Sequence, residues 1–465
     1  MTRFYFFALL TLILSFGCAT YYEQNYKLQS LITSGQIEAA DKLLDKDKKG
    51  EEGKDRVLYF YNRGTVAHMN GQYEKSNTYF TKADYYVEDF RKSLGSEALA
   101  LISNPMTKPY KPEDFEAVMA HYYMALNYIY LKNYEGALVE CRRMNIQLQT
   151  LNDKYKKNKN KYSDDAFAHT LMGLIYEASG DYNNAFIAYR NALDVYESDY
   201  KDLFLMSAPL QLKKDILRTA KRIGFFSELD FYERKFNMKC EEEDPENGYL
   251  VLFWMNGFGP VKAEWSINFV NTGYDDGWIT FANEEHGLSF PIYIGNKSRN
   301  EQNAFADLSM LRVAFPKYVE RKTVFHKARI NANGESYPLE MAENINAIAF
   351  QCLKDRMARE IANSIMRLAT KKAMEAAARN ENENLGAIVS IVNAMTEKAD
   401  TRNWQSLPHS ISYARIPLPE GTHQVDLQAS GQANSTVPLE FNITKGQTTF
   451  FAFHHLESQQ AASRY

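Results

Sequence analysis

The stretch Arg63-Gly-Thr-Val-Ala67-His-Met-Asn-Gly71-Gln-Tyr73-Glu-Lys-Ser76-Asn-Thr-Tyr-Phe80-Thr-Lys-Ala83 decides the fold of the N-terminal half. A small residue, a turn glycine, a tyrosine, and then small and aromatic residues at four- and three-residue steps describe two helices joined by a tight turn. A bulky ring on the second helix meets a gap on the first. The pattern returns at Met124-Ala125-x-x-Tyr128 through Tyr134-x-x-Ala137-x-x-x-Cys141-x-x-Met144. It returns again at Met172-Gly173-x-x-Tyr176-x-x-x-Gly180-x-Tyr182-x-x-Ala185-x-x-x-Tyr189-x-x-Ala192. A weaker copy precedes them, with Leu28, Leu31, Gly35, Ile37, Ala40 and Leu44 in the corresponding places. Hairpins that repeat in this way stack into a quasi-linear array.

These copies resemble tetratricopeptide repeats and predict a TPR-like α-solenoid over residues 18–238. The interval from Gly35 to Gly71 is close to the ~34-residue length of such a repeat. The intervals between Tyr73, Tyr134 and Tyr182 are longer, so insertions follow the second and third hairpins. The first, near 88–115, holds Pro105, Pro109 and Pro112 with Tyr110 and reads as a stiff, extended loop. The second carries Lys154, Lys156, Lys157, Lys159 and Lys161. It reads either as a contact for an anionic partner or as a solvated helix end, and the second reading is the plainer. Leu212 to Phe236 keeps helical periodicity and caps the array.

From Tyr249 the period changes from helical to two. Tyr249–Trp254, Lys262–Phe269, Leu288–Ile294 and Phe325–Ile330 read as strands, the first two joined as a hairpin through Asn256-Gly257 and Gly259-Pro260. A helical pair intervenes over 341–400, its first member from about Met341 to Arg379 and its second from Leu385 to Ala399. Strands resume at Ser410–Pro417, His423–Leu427, Val437–Ile443 and Thr448–Phe453 as a meander. The fold class is therefore α + β: the solenoid, then a β-rich, sandwich-like domain over 239–340 and 401–465, interrupted by a helical hairpin.

Composition excludes several classes. With 465 residues, 45% hydrophobic, 24% charged and a formal net charge of −4, the chain is neither disordered nor a nucleic-acid coat. No run beyond the start reaches the length of a membrane span. That start is an address: Arg3, an apolar run from Phe4 to Phe16, then Gly17-Cys18-Ala19. Ser15-Phe16-Gly17-Cys18 resembles a bacterial lipobox, which implies a signal peptide over 1–17 and acylation of Cys18, including a fatty acid such as palmitate. Several acyl chains on one cysteine anchor firmly, each buried methylene adding about 0.8 kcal/mol. Ala19 after the cysteine, where Asp would mark retention at the inner membrane, points to the outer membrane. Cys141, Cys240 and Cys352 are too few and too scattered for a disulfide framework, and a single bridge between Cys240 and Cys352 stays open.

The chain contains no H-E-x-x-H, G-x-S-x-G, P-loop or dinucleotide fingerprint, so neither catalytic residues nor a cofactor is assigned. No metal site is assigned either, because the adjacent pair His454-His455 would point to opposite faces of a strand. Asp400-Thr-Arg402-Asn-Trp404 admits two readings. It is a ligand corner, with Arg402 pairing a carboxylate and Trp404 stacking on a sugar, or it is packing, with Trp404 filling space and Arg402 paired to Asp400.

Further motifs carry a resemblance to a family. They are Tyr110-x-x-Glu113-Asp-Phe-Glu116 running into His121-Tyr-Tyr123-x-Ala-Leu-Asn127-Tyr, Ala137-Leu-Val-Glu-x-Arg-Arg143, Asn256-Gly-x-Gly-Pro260 and Asp400–Pro408. The chain resembles the tetratricopeptide-repeat lipoproteins of Gram-negative bacteria, which implies architecture and compartment and no enzymatic activity. The expectation is a non-enzymatic scaffold at the periplasmic face of the outer membrane. Its array would receive envelope proteins or peptides through Tyr110, Glu113, Glu116, Tyr123, Asn127 and Arg143, and it would have no nucleic-acid partner. The rival expectations are a regulator of peptidoglycan synthesis, or of another envelope machine, and a glycan binder using the 400–404 corner.

Overall fold

A computed structural model describes residues 23–92, 106, 108–153, 162–297, 299–306, 308–381 and 398–459. The helical half comprises α1 (23–33), α2 (Ile37–Asp45), α3 (Lys48–Glu52), α4 (Arg56–Met69), α5 (Tyr73–Lys92), α6 (Asp114–Tyr130) and α7 (Tyr134–Asp153). It continues with α8 (Ala166–Ala178), α9 (Tyr182–Val195), a π-turn at Tyr196–Tyr200, α10 (Lys201–Phe204), α11 (Leu210–Arg222) and α12 (Phe226–Phe236). Among the described residues these form five hairpins: α1–α2, α4–α5, α6–α7, α8–α9 and α11–α12. The last is the capping segment expected from periodicity.

Each hairpin turns on one left-handed residue, Gly35, Gly71, Lys132, Gly180 or Gly224, with φ between 56° and 83°. That conformation ends a helix and releases the chain into the next. The ring-into-gap reading holds at atomic detail. A Cβ on Gly64 would sit 2.6 Å from the Phe80 ring, and one on Gly173 would sit 2.2 Å from the Tyr189 ring. The third hairpin solves the same contact with Ala125 and Cys141, both fully buried.

The β-rich half resolves into two sheets. One has seven strands in the order β10-β9-β6-β7-β8-β1-β11, and the other has four in the order β4-β3-β2-β5. The strands are β1 (Asn247–Asn256), β2 (Val261–Asp275), β3 (Trp278–Asn283), β4 (Leu288–Tyr293), β5 (Met310–Val319), β6 (Phe325–Ala332), β7 (Glu335–Glu343), β8 (Ser410–Pro419), β9 (Gly421–Gly431), β10 (Asn434–Ile443) and β11 (Thr448–His455). Helices α13 (Arg299–Ala306) and α14 (Ile345–Glu381) accompany them.

Three expectations are corrected here. β1 and β2 are not a hairpin: β1 pairs with β8 and β11, whereas β2 pairs with β3 and β5. The link between them is fixed from elsewhere, because Gly257 N donates to His455 O and Gly259 N to Leu407 O. The closing strands are not a meander, since the β6–β7 hairpin lies between β8 and β9, and β11 runs parallel to β1. The long helix starts at Ile345, not Met341. Residues 335–343 extend as β7, and the Asn344 side chain accepts from Ala347 N at 2.9 Å as an N-cap. The second expected helix lies almost wholly outside the described residues, as do the leader, Cys18 and the lysine-rich insertion.

Cores follow the layers. One apolar cluster fills the seven-stranded sheet, with Leu250, Leu252, Trp254, Ile330, Ile416 and Leu427 at its centre. A second lies between the four-stranded sheet and α13/α14, joining Phe269, Phe281 and Phe315 to Ile361 and Ile365. The largest runs through the whole array and on into Val251 and Phe253 of β1, Ile411 and Tyr413 of β8, and Ile345 and Ile348 of α14. The two halves of the chain thus share one continuous core.

Candidate functional site: the occupied face of the helical array

The first helices of successive hairpins, α4, α6, α8 and α11, line one face of the array. In a helical repeat this is the surface available to an extended ligand. Here the β-rich half lies along it. The segment 399–408, between α14 and β8, enters between α4, α5 and α6. The Trp404 ring stacks on Tyr61 with centroids 4.4 Å apart and packs against Phe80 and Tyr123. Its Nε1 donates to Ser406 Oγ at 2.8 Å and to Thr65 Oγ1 at 3.2 Å, and its backbone N–H donates to Glu116 Oε1 at 2.7 Å.

The corner residues are therefore satisfied from within. Arg402 grips Asp400 in bidentate fashion (2.9 and 2.6 Å) and reaches Asp55 of the array at 2.6 Å and the Lys108 carbonyl at 3.1 Å. Its guanidinium sits 5.5 Å from the centre of the Tyr110 ring. Burial pushes the Asp400 carboxyl up, and Arg402 outweighs it, holding the group below the usual carboxylate range. Arg402 and Trp404 are each 1% exposed. The ligand-corner reading is corrected: an indole sealed between Tyr61, Phe80 and Tyr123 cannot stack on a sugar. The packing reading holds for Arg402–Asp400, and the space Trp404 fills belongs to the array.

The contact residues assigned to the groove meet the same fate. Tyr110, Glu113, Glu116, Tyr123 and Asn127 are all buried. Glu116 accepts from the Tyr110 hydroxyl and from Glu113 N, closing a capping box at the start of α6. Glu113 is paired by Lys262 of β2 and by Arg356 of α14 at 2.7 Å. Burial raises its carboxyl, but Arg356 and Lys262 together hold it ionised below the usual range. Glu116 is pushed up by burial, with Lys262 opposing and Glu113 adding to the rise. Asn127 accepts from His68 Nδ1 (2.6 Å) and donates to Ser76 and Asn77. These five are corrected from partner contacts: Tyr110, Glu113, Glu116 and Tyr123 belong to the chain's own internal seam, and Asn127 to the interior of the array. Arg143, with a side chain 52% exposed beside Glu140 on the outer helix α7, remains open to a partner.

Two further groups on this seam had no separate signal in the sequence. Glu177 of α8 is held by Arg218 of α11 and Arg415 of β8, each at 2.7 Å, and by the Tyr189 hydroxyl. Burial opposes its charge, yet the two guanidinium groups bring the carboxyl down to about 2. The Tyr130 hydroxyl accepts from Ala452 N at 2.6 Å, covering a backbone donor of the edge strand β11. Cys141, Cys240 and Cys352 are free thiols, and among the described residues no cluster of His, Cys, Asp and Glu could hold a metal. Among them, too, no helix is long and apolar enough to cross a membrane.

No known protein family matches the chain, and no curated protein does. Similar solved structures are helical-repeat proteins. They include the apo form of RapI, at 16% identity over 46% of this chain and 52% of that one, with a TM-score of 0.33. MamA (residue 41 to the end) from Desulfovibrio magneticus RS-1 has 16% identity over 46% and 90%, with a TM-score of 0.30. The nearly identical TPR-like repeats of a Podosopora anserina kinesin light chain have 15% identity over 46% and 92%, with a TM-score of 0.30. The chain spans about half the length of the RapI chain. Likeness at this level transfers neither partner nor activity.

Proposed function

We propose that the protein is a lipid-anchored scaffold of the bacterial envelope, acylated at Cys18 and held at the periplasmic face of the outer membrane. In this reading the array first serves its own chain. Trp404 seated among Tyr61, Phe80 and Tyr123 is the observation that carries it, because it is how a repeat groove holds an extended segment by an aromatic anchor. Locking the two halves together makes one rigid body, and a rigid body presents outer surfaces to a partner at little entropic cost.

The partner contact is assigned to the outer face of α7, where Val139, Arg143 and Ile146 recur at helical spacing and stand exposed. A peptidoglycan-synthesis regulator is the narrower form of the same reading. The test is in-cell crosslinking and capture of the lipidated protein, beside a Cys18→Ala chain and an Arg143→Glu/Ile146→Asp chain. A defined set of envelope proteins lost in both variants supports the reading. Recovery unchanged by the α7 substitutions, or an unlipidated Cys18 by mass, overturns it.

A further inference from the structure

Glu343, at the end of β7, occupies an unusual place on the seam between the two halves. It is 2% exposed, sits beside a register shift in the β7–β8 pairing, and accepts a 2.9 Å hydrogen bond from the Tyr200 hydroxyl. Among the described residues it forms no ion pair. The titratable groups that face it are acids, phenols and a thiol: Asp165 from the start of α8, Tyr162 just before it, Tyr196 and Tyr200 from the π-turn, Tyr122 from α6, and Cys352 from α14 beyond Tyr162. Its neighbour across the sheet is the apolar Ile411. Asp165 is occupied as the N-cap of α8, accepting from Ala168 N (2.7 Å) and the Tyr162 hydroxyl (2.5 Å). The Tyr196 hydroxyl donates to the Ala342 carbonyl at 2.6 Å, so the π-turn touches two successive residues of β7.

A carboxylate in such a place would be a buried charge with a second carboxyl nearby and no cation. A carboxylic acid costs far less there, because its neutral form needs no counter-charge. We propose that Glu343 couples docking of the helical array onto the β-rich half to the uptake of one proton, so that acid tightens this seam and alkali loosens it. Burial, and then Asp165, push the carboxyl well above its ordinary range. Undocking exposes Glu343 to water, where it returns to that range and releases the proton. The docked state is thus favoured fully below the ordinary carboxylate range, and that advantage declines as pH rises toward the docked-state value. With one proton at stake, the opening equilibrium constant rises about tenfold per pH unit across that window. The inference does not depend on lipidation or on a partner.

The buried His68 and half-buried His454, each held down to about 4, oppose this effect in the range where a free imidazole titrates. The comparison is therefore Glu343→Gln at each pH, which keeps the shape and the Tyr200 hydrogen bond and cancels the histidines. Hydrogen exchange of the full chain, read by mass spectrometry in peptides covering 196–204 and 340–348, reports opening of the seam. The expected result is a wild-type opening constant that climbs about tenfold per pH unit relative to Glu343→Gln as pH rises above the ordinary carboxylate range. Equal slopes in the two proteins overturn the proposal. If Glu343→Gln does not fold, the infrared carbonyl band of a protonated carboxylic acid decides on the wild type. The expected band persists as pH rises above the ordinary carboxylate range and is shifted by Tyr200→Phe. Its absence overturns the proposal.

Discussion

The indole of Trp404 lies on the ring of Tyr61 with centroids 4.4 Å apart, so a residue from the β-rich half forms the anchor of the helical array's inner face. The contact joins the two ends of the chain and turns two modules into one body. Its removal opens a large apolar void and takes the indole donor from Ser406 and Thr65, while the backbone bond to Glu116 remains. Trp404→Ala is expected to cost ~3–5 kcal/mol, the range for large-to-small core substitutions. Urea unfolding of the purified chain checks it, and a cost under about 1 kcal/mol would show that the indole is not an anchor.

The charges on the seam behave differently from those on the outside. Glu113 is the shared partner of Lys262 and Arg356, so Glu113→Gln leaves the buried Lys262 without its anion and the half-buried Arg356 with Glu360 alone. Breaking a buried pair in this way costs about 3–5 kcal/mol. Arg143→Ala, on the exposed face of α7, is expected to change stability by less than about 0.5 kcal/mol. Thermal and urea denaturation of the two variants side by side test the contrast. Similar losses in both would contradict the assignment of Glu113 to the interior.

Why the sequence showed the array and hid the seam follows from the range of the interactions. Gly64 with Phe80, and Gly173 with Tyr189, are local contacts repeated along the chain, so their spacing is visible in one sequence. The turn at Asn333-Gly334 is equally local, and both residues adopt positive φ in the β6–β7 hairpin. Glu113 with Lys262, Glu177 with Arg415 and Trp404 with Tyr61 are long-range pairs, for which periodicity carries no information. The motif around Tyr110, Glu113 and Glu116 stands out in the sequence, and its prominence reads as a binding surface. Its residues are distinctive because they are buried polar groups that need specific partners. The β1–β2 link misled for a related reason: Asn256-Gly257 and Gly259-Pro260 have hairpin composition, but their backbone donors are taken by His455 and Leu407.

The two roles of glycine in the repeats separate cleanly by substitution. A Cβ on Gly173 would fall within 2.2–2.8 Å of the Tyr189 ring, which is itself fixed by a 2.9 Å hydrogen bond to Glu177. Gly173→Ala is therefore an overpacking change, expected to cost ~1–3 kcal/mol. Gly180, at φ 83°, has open space around its missing Cβ, so Gly180→Ala costs only the left-handed strain of about 1–2 kcal/mol. The distinguishing measurement is Tyr189→Leu in each background. It should soften the Gly173→Ala penalty and leave the Gly180→Ala penalty unchanged, and equal responses would refute the steric assignment.

Acid stability brings the buried groups into opposition. His68 and His454 are neutral in the fold because burial holds each down to about 4. An unfolded chain binds protons at both below about pH 6.5, so stability is lost as pH falls from there toward 4. Glu343 works in the other direction, since its folded carboxyl retains a proton that the unfolded chain releases above its ordinary range. Between about pH 4.5 and 6.5 each of these histidines adds the slope of one proton to the acid loss and Glu343 subtracts one, beside His409 and His455, which burial also lowers, and Glu116, Asp165 and Asp215, which burial raises. Relative to the wild type, Glu343→Gln removes the subtraction and should steepen the acid loss by the slope of one proton, while His68→Gln should make it shallower by one. Below this window Glu177, held at about 2 by Arg218 and Arg415, gives up its stabilisation as it protonates. Urea midpoints measured from pH 4.5 to 7 in the three proteins test the ordering, and a Glu343→Gln slope no steeper than the wild type's would show that Glu343 is not protonated in the fold.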